Sequence, residues 1–299
     1  MSRLRESIGA GRFVITAEIV PPLSASADAL LEEAAMLGSG VDAINVTDAA
    51  AGRTTMSSFA SAALLAGNGY EPILQVTCRD RNRIALAGDL LGAAAQGVSN
   101  MLLLRGDDPK GGDQPDAQPV FDFETADLMR LARDMRDDGV LPSGREIKPA
   151  PDFFIGGADI PRVPDEKWSP EPLRKKIEGG AGFMQTQFCF DLDVARQYFN
   201  RLNDEGITEQ VGIIIGVGPI RSAKSARWMN ENLFGVHVPD ATIARLEGAD
   251  DQAAEGRAIC VELIQGLQEM QGPAGAHIMA PAQGTKAIAQ ILSELPATG

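Results

Sequence analysis

The sequence is poor in the residues that build metal centres. Its 299 residues include two histidines, His237 and His277, and three cysteines, Cys78, Cys189 and Cys260. The cysteines are odd in number and far apart, a pattern without metal-ligand spacing that is typical of a reducing compartment. We therefore predict no metal site, no serine–histidine triad and a cytoplasmic location.

Long hydrophobic runs and clustered positive charge are also missing. No apolar run approaches the ~20 residues that a membrane helix needs, and the opening residues MSRLRESIGAGRF lack the apolar segment of a secretory signal. Lys and Arg number 27 against 41 Asp and Glu, so the net charge is −14. Binding along a nucleic-acid backbone needs clustered cations. We expect no membrane segment and no nucleic-acid partner, while a small anionic ligand held by a few local cations stays open.

What the sequence has in abundance is one repeated unit, a short apolar run followed by a polar turn and a segment of helical periodicity. Eight runs predict strands: Phe13–Ile19, Ala43–Thr47, Ile73–Cys78, Asn100–Leu104, Phe153–Ala158, Phe183–Phe190, Val211–Val217 and His277–Ala280. Six segments between or after them predict helices: Leu30–Leu37, Ile84–Ala95, Ala126–Met135, Val194–Leu202, Ala254–Met270 and Ala287–Leu295. This α/β alternation indicates a single-domain (β/α)8 TIM barrel over residues 1–299, with a doubly wound sheet as the alternative.

The predicted strands end in polar residues. The fourth strand changes abruptly from Met101–Leu104 to Arg105, Gly106 and Asp107. In a barrel all carboxyl ends of the strands meet at one mouth, where active sites are built. The other strand ends expected there are Glu18, Thr47, Asp48, Gln75, Thr77, Gln185, Thr186, Gln187, Gly216, Gly218 and Gln283.

Two kinds of side chain at these ends suggest chemistry. Glu18 lies in an otherwise apolar strand, where a carboxylate is costly unless it is paired or protonated. A protonated carboxyl suits general-acid catalysis near neutrality, and a structural carboxylate is the alternative. Gln185 and Gln187 share one side of the sixth strand. Their amides suit a planar heterocycle such as a pterin or a flavin, with an interior polar ladder as the alternative.

Three long connections and one basic segment complete the pattern. Residues 109–122 and 159–170 follow strands four and five and can line the mouth, as a lid or a spacer, whereas 137–151 should lie on the opposite face. Arg174, Lys175 and Lys176 are expected to open the helix before strand six. They suit a phosphate group, with a solvated basic face as the alternative.

Together these residues resemble the methylenetetrahydrofolate reductase family. The matching segments occur in family order along essentially the whole chain: AEIVPP, NVTDAAAGR, QVTCRDRNR, GVSNMLLLRGD at 97–107, ADL at 126–128, LRKKIEGGAGFMQTQFCFD at 173–191, GIIIGVGPI at 212–220 and HIMAPAQ at 277–283. The resemblance implies a (β/α)8 flavoenzyme of one-carbon metabolism and methionine biosynthesis, often a homo-oligomer. In this family NADH or NADPH reduces FAD, and reduced FAD passes a hydride to 5,10-methylenetetrahydrofolate, giving 5-methyltetrahydrofolate.

Carried over residue by residue, the resemblance implies roles for individual side chains. Glu18 matches the general acid and Asp107 the catalytic carboxylate near the flavin and the pterin. The implied folate contacts are Glu18, Asp107, Gln187 and Gln283. The implied FAD contacts are Thr47, Gln75, Arg105, Gly106, Asp107, Thr125, Ala158, Lys175 and Lys176.

Four positions depart from the family pattern. A common histidine is Gln75, the tyrosine-containing segment after strand five reads Gly157–Asp159, the stacking aromatic after strand seven is Ala223, and an arginine after strand eight is Gln283. These changes leave open how tightly FAD binds, whether NADH or NADPH is used and which direction is preferred. Two alternatives remain. One is direct hydride transfer from NAD(P)H without flavin, and the other is a non-redox folate-binding protein or methyltransferase partner.

Overall fold

The strands of the computed structural model, which describes residues 2–295, form a closed parallel barrel. They pair in sequence order, and the last strand pairs with the first. The strands are β1 (Val14–Ile19), β2 (Ala43–Val46), β3 (Pro72–Thr77), β4 (Asn100–Leu104), β5 (Phe154–Asp159), β6 (Ala181–Phe188), β7 (Gly212–Val217) and β8 (Pro273–Ile278). The predicted (β/α)8 barrel is confirmed.

Eleven α-helices lie in the described part of the chain. They are α1 (Arg3–Gly9), α2 (Ala27–Leu37), α3 (Ser58–Gly67), α4 (Arg83–Ala95), α5 (Thr125–Asp137), α6 (Glu171–Glu178), α7 (Leu192–Asp204), α8 (Ala223–Asn232), α9 (Asp240–Glu247), α10 (Gln252–Gln268) and α11 (Gly284–Glu294). All six segments predicted from periodicity fall on helices, although the predictions for α10 and α11 run two residues and one residue too far, whereas α1, α3, α8 and α9 were not predicted. None of the helices in residues 2–295 is long and apolar enough to span a bilayer.

Alternation along the strands separates an outer core from the barrel interior. In β1, Ile15, Ala17 and Ile19 belong to the core that the surrounding helices cover. Val14 belongs to a second core inside the barrel. Because Thr16 and Glu18 follow Val14 at steps of two, they also point inward.

Helix α1 closes the amino end of the barrel. Its Leu4 is fully buried, and the inner core around it contains one residue from each of the first seven strands: Val14, Ala43, Ile73, Leu102, Phe154, Phe183 and Ile214. Arg5 reaches from α1 to Asp152 at 2.6 Å, just before β5. The 137–151 connection leads to this same end of β5, on the face opposite the carboxyl ends of the strands, as predicted.

The prediction for the eighth strand was wrong at both ends. The structure has β8 at Pro273–Ile278, four residues earlier than the predicted start at His277. Pro273-Ala-Gly-Ala has little intrinsic preference for a strand. The segment is a strand nevertheless because it pairs with β1 and β7. The pairing with β1 is so close that a Cβ on Gly275 would lie 2.2 Å from the Val14 carbonyl oxygen, so only glycine fits there.

The position of the basic segment was also predicted wrongly. Because α6 begins at Glu171, the three basic residues do not open it: Arg174 is its fourth residue, and Lys175 and Lys176 lie in its last turn. Arg174 donates to the Glu205 carboxylate at 3.0 Å, which ties α6 to the end of α7.

We expect Leu4→Ala to lower the free energy of unfolding by about 3 kcal/mol, because truncation leaves a cavity beneath the barrel. Urea denaturation measures the change. Ile84→Ala is the control, since the Ile84 side chain is 80% exposed, and it should cost less than about 0.5 kcal/mol. Equal losses for the two variants would contradict a sealing role for α1.

Candidate active site

A layer of buried polar side chains crosses the barrel interior above the apolar floor. Thr16, Asn45, Gln75, Gln185 and His277 come from five different strands, and each is at most 9% exposed. Buried polar groups are nearly always hydrogen-bonded in native proteins. The hydrogen bonds within this layer therefore show which of its polar atoms remain free to bond with a ligand.

His277 is the centre of the layer. Its Nδ1 lies 2.9 Å from the Thr16 hydroxyl and 3.4 Å from the Gln185 amide nitrogen. Both groups can donate a hydrogen bond to Nδ1. Nε2 lies 4.0 Å from Glu18 Oε2 and 3.5 Å from the Asn45 amide nitrogen. The Nε2 edge of the imidazole thus faces the Glu18 carboxyl group.

Glu18 lies one layer higher, at the carboxyl end of β1. Its side chain is 17% exposed, and among residues 2–295 the one cationic or imidazole nitrogen within 4.0 Å of its oxygens is Nε2 of His277. No hydrogen bond in that range occupies its oxygens. A carboxyl group that is largely enclosed but not bound is available to exchange a proton with a ligand in the mouth.

Three buried oxygen atoms in this interior lack a hydrogen-bond partner among the described residues. They are Asn45 Oδ1, Thr47 Oγ1 and Gln185 Oε1. Each can accept a hydrogen bond. A ligand or ordered water carrying N–H or O–H groups would satisfy them.

A buried ion pair braces the mouth beside β2 and β3. Asp48 accepts hydrogen bonds from Arg81 Nη1 at 2.7 Å and Nη2 at 3.1 Å, from the Thr77 backbone and hydroxyl at 2.9 Å each, and from Ser58. Burial alone would raise the pKa of Asp48. The hydrogen bonds and charge of Arg81, with the two bonds from Thr77, outweigh burial and hold that pKa below its ordinary value.

Arg79 extends the brace to β4. Its side chain is 2% exposed and pairs with Asp80 at 2.7 Å. The guanidinium also donates to the backbone carbonyls of Asp48, Ala49 and Asp107. The segments after β2, β3 and β4 are therefore held together by one buried cation.

Asp107 connects the loops after β2 and β4. Its Oδ2 accepts a hydrogen bond from the Ala51 backbone at 2.7 Å, within a turn where Ala49 and Ala51 have φ of 50° and 55°. Positive φ at a residue other than glycine is strained, and surrounding contacts must maintain it. Asp113 further accepts from the Thr54 backbone at 3.0 Å. These contacts make the start of the 109–122 connection a fixed wall of the mouth.

The model of the methylenetetrahydrofolate reductase family matches residues 3–296. This chain belongs to that family. The "Probable methylenetetrahydrofolate reductase (NADPH)" of Caenorhabditis elegans is 26% identical over 234 residues, which is 76% of this chain and 32% of the relative. The "5,10-methylenetetrahydrofolate reductase" of Escherichia coli K12 is 27% identical over 189 residues, which is 62% of this chain and 56% of the relative. The matches thus span from about a third to just over half of these relatives.

Two solved structures share the barrel. A Clostridium thermocellum protein described as binding two copies of 5-methyl-5,6,7,8-tetrahydrofolic acid has a TM-score of 0.63 at 17% identity, covering 98% of this chain and 97% of its own. The coenzyme F420-dependent tetrahydromethanopterin reductase of Methanopyrus kandleri has a TM-score of 0.56 at 10% identity, covering 95% and 98%. At such identities the likeness establishes the fold.

Of the positions matched to FAD contacts, the first group lies along β2 to β4. Thr47 and Gln75 are buried, and Gly106 has φ of +93° with room only for hydrogen, since a Cβ would lie 2.9 Å from Thr77 Cβ. The Arg105 guanidinium lies 4.1 Å from the centre of the Phe121 ring and 3.4 Å from Glu124. Arg105 is therefore already engaged with the 109–124 segment.

The remaining matched positions lie on α5, β5 and α6. Thr125 is the first residue of α5 and is partly buried. Lys176 extends from α6 and donates a hydrogen bond to the Ala158 carbonyl oxygen near the end of β5. Lys175 is exposed on the same helix. Of the two lysines expected near phosphates, Lys176 bonds to the backbone and Lys175 faces solvent.

The positions matched to folate contacts lie on both sides of β7. The register of β6 against β7 shifts between Gln185 and Phe188, and such bulges redirect side chains near sites. Gln187, within the shift, is partly exposed. Gln283, just before α11, donates to the Pro219 carbonyl oxygen at 2.8 Å. Both lie at the carboxyl end with Glu18 and Asp107, and their roles stay predictions.

Sequence reasoning assigned no role to Thr16, Asn45, His277, Arg79 or Arg81. A signal for two of them was present, because Thr16 and Asn45 precede Glu18 and Thr47 by two residues and so share their side of the strand. The arginine contacts depend on loop conformation and had no such signal. No group of three or more potential metal ligands occurs in the described residues.

We expect Asp48→Asn to lower the free energy of unfolding at neutral pH by about 3 kcal/mol, because Arg81 loses its buried partner. Since the pKa of Asp48 is depressed in the folded state, its contribution is present above the unfolded value of about 3.9 and is lost as pH falls through the folded value. The difference from wild type should therefore shrink in acid. Urea denaturation across that pH range, with exposed Asp138→Asn as control, measures it, and a pH-independent difference would contradict the ion pair.

Proposed function

We propose that this chain interconverts 5,10-methylenetetrahydrofolate and 5-methyltetrahydrofolate by hydride transfer, with NADH or NADPH as the electron source. Membership of the reductase family supports the reaction class. The observation that carries the proposal is Glu18, an enclosed carboxyl without a bound partner at the mouth of a polar barrel interior. The folate ligand of the Clostridium thermocellum barrel supports a folate substrate.

Glu18 is proposed to act as the general acid. Its proton goes to the substrate nitrogen whose bond to the bridging methylene breaks, opening the five-membered ring to an iminium that accepts the hydride. The sum of one proton and one hydride gives the methyl product. Nε2 of His277 lies 4.0 Å from the carboxyl group, on the barrel side of it. The barrel thus supplies a positioned proton and a fixed binding geometry.

The pterin is proposed to lie over the polar layer. Its ring carries N–H groups, which are the donors that Asn45 Oδ1 and Gln185 Oε1 lack. Gln187 and Gln283 would contact the substrate from the β6–β8 side. Asp107 would contact the pterin through Oδ1, because Oδ2 accepts the hydrogen bond from the Ala51 backbone.

FAD is proposed as the hydride carrier between nicotinamide and folate, which is the chemistry it supplies when bound. The ring end of this cofactor fits: Thr47 Oγ1 has no partner, and Gly106 leaves the wall free of a side chain. The diphosphate end fits less well. Lys176 is bound to the Ala158 carbonyl and Arg105 lies against Phe121, so both would have to turn toward a phosphate.

These occupied cations favour a second candidate, direct hydride transfer from the nicotinamide without flavin. Asp107 is also engaged on this side of the mouth, and no aromatic residue occurs in Gly157–Asp159. Direct transfer retains the same substrate and the same role for Glu18. It needs one nucleotide site in place of two.

A cytoplasmic location is part of the proposal. Cys78, Cys189 and Cys260 are buried and unpaired. Burial raises the pKa of Cys78 and of Cys189 to about 11, so these thiols stay protonated and unreactive. Such cysteines suit a reducing compartment. A homo-oligomer stays a prediction.

We expect Glu18→Gln to lower the rate of folate reduction by at least about 100-fold, because the amide cannot donate the proton. Flavin reduction by NAD(P)H, followed by bleaching in a stopped-flow instrument, should stay nearly normal. Glu32→Gln, an exposed position on α2, is the matched control. Equal losses in both half-reactions would exclude the general-acid role.

The purified protein should show the visible absorption of bound flavin, and added 5-methyltetrahydrofolate should bleach it. If the protein is colourless but oxidises NAD(P)H in the presence of 5,10-methylenetetrahydrofolate, the proposal of direct hydride transfer replaces the proposal of FAD as the carrier. A colourless protein that binds folate without oxidising NAD(P)H would overturn the reductase proposal.

A further inference from the structure

Strand β6 contains one extra residue relative to β7 just before it reaches the mouth. Gln185 pairs with Ile214 and Phe188 pairs with Gly216, so three steps along β6 correspond to two steps along β7. An extra residue of this kind forms a bulge, which interrupts the regular ladder and turns the side chains within it to new directions. We name residues 185–188 the β6 bulge.

A single hydroxyl group bonds to the backbone on both sides of the β6 bulge. Thr186 Oγ1 accepts a hydrogen bond from the Gly216 N–H of β7 at 2.9 Å and donates to the Gln187 carbonyl oxygen at 2.8 Å. Thr186 is 4% exposed, so water has little access to these groups. Because a buried backbone N–H without a partner is costly, the hydroxyl stabilises this arrangement of the bulge.

Gly216 packs against the β6 bulge with no space for a side chain. A Cβ on Gly216 would lie 2.4 Å from the Thr186 carbonyl oxygen and 2.8 Å from the Gln187 carbonyl oxygen. The two backbones are therefore in direct contact, and a shift of one displaces the other. The bond from Gly216 to the Thr186 hydroxyl lies at the centre of this contact.

The side chain of Gln187 leaves the β6 bulge with one end of its amide already bonded. Its Oε1 accepts a hydrogen bond from the Phe188 N–H at 3.0 Å. Since a backbone N–H can only donate, the oxygen end of the amide is the end that faces Phe188. Gln187 is partly exposed, and its Nε2 has no hydrogen bond with any of residues 2–295. The bulge thus directs a free N–H donor toward the mouth.

We propose that Thr186 is a positioning residue, whose hydroxyl holds the β6 bulge in the conformation that aims the Gln187 amide at the folate substrate. The inference rests on the proposed function, in which Gln187 contacts the folate. Thr186 does not touch the substrate, because it is buried and both bonds of its hydroxyl go to the backbone. Its effect on folate affinity passes entirely through Gln187.

The test removes the hydroxyl without changing the shape of the side chain. We expect Thr186→Val to weaken the binding of 5-methyltetrahydrofolate, measured by calorimetry, by about tenfold, which is the loss of roughly one hydrogen bond to the ligand. Thr186→Ser keeps the hydroxyl and should bind within about twofold of wild type. Thr186→Ala also lacks the hydroxyl and repeats the comparison if the valine variant does not fold.

Thr208→Val is the matched control. It removes a partly buried hydroxyl that donates to Asn203 at 2.6 Å, in the connection that leads to the amino end of β7. Because that end is opposite the mouth, folate binding should match wild type.

A double-mutant cycle tests whether Thr186 acts through Gln187. Gln187→Ala removes the amide, so adding Thr186→Val to it should cause no further loss of folate binding. An additive loss would overturn the proposal. In turnover, Thr186→Val should raise the KM for the folate substrate and leave the KM for NAD(P)H unchanged.

Hydrogen exchange gives a measurement that needs no ligand. The Gly216 N–H should exchange faster in Thr186→Val than in wild type, and Thr186→Ser should restore its protection. Unchanged exchange in Thr186→Val would overturn the proposal even if folate binding fell.

Failure of the positioning role and failure of the proposed function give different results. If the wild type binds 5-methyltetrahydrofolate but oxidises no NAD(P)H, the reductase proposal fails, and a non-additive cycle still supports the role of Thr186. If Thr186→Val binds folate as wild type does in an active reductase, the role of Thr186 alone is overturned. If the wild type binds no folate, both proposals are overturned.

Discussion

Hydrogen bonding between β8 and β1 is the constraint on which the candidate site depends. These strands lie 254 to 264 positions apart in the chain, and their register sets Thr16 opposite His277. That pairing brings the imidazole beneath Glu18 and completes the polar layer with Asn45 and Gln185. A shift of one residue would turn His277 to the outside of the barrel. Closure of the sheet and placement of His277 beneath Glu18 are therefore one event.

The mouth is rigid on one side and open on the other. After β2, β3 and β4, the buried side chains of Arg79 and Asp48 tie three loops together, and Asp107 adds a contact to the strained turn at Ala51. Beyond β6, Trp228 is exposed on α8, and Arg221 and Lys224 form no ion pair with any of residues 2–295. The two sides differ in how their charged side chains are paired. After β2 to β4 the charged groups bond to other groups of the protein, whereas beyond β6 they face solvent.

The difference between the two sides affects whether the mouth can bind the diphosphate of FAD. Satisfied charges beside β2 to β5 leave few free groups for a diphosphate, while buried oxygens without donors remain deeper in the barrel. A buried oxygen without a hydrogen bond destabilises the empty barrel. A ligand that donates hydrogen bonds to these oxygens removes that destabilisation, which favours binding. The barrel floor sealed by Leu4 keeps water from entering at the opposite end.

The sequence by itself determined the barrel, the family and the end of the barrel at which Glu18, Thr47, Asp107 and Gln187 would gather, because strand periodicity and strand-end chemistry are local in the chain. It misplaced β8, whose Pro-Ala-Gly-Ala start has no local strand signal and exists because two neighbouring strands pair with it. The position of His277 beneath Glu18 and the contacts of Asp107 and Lys176 were decided only by the tertiary structure. Each depends on contacts between residues distant in sequence, whose side-chain geometry no local pattern encodes.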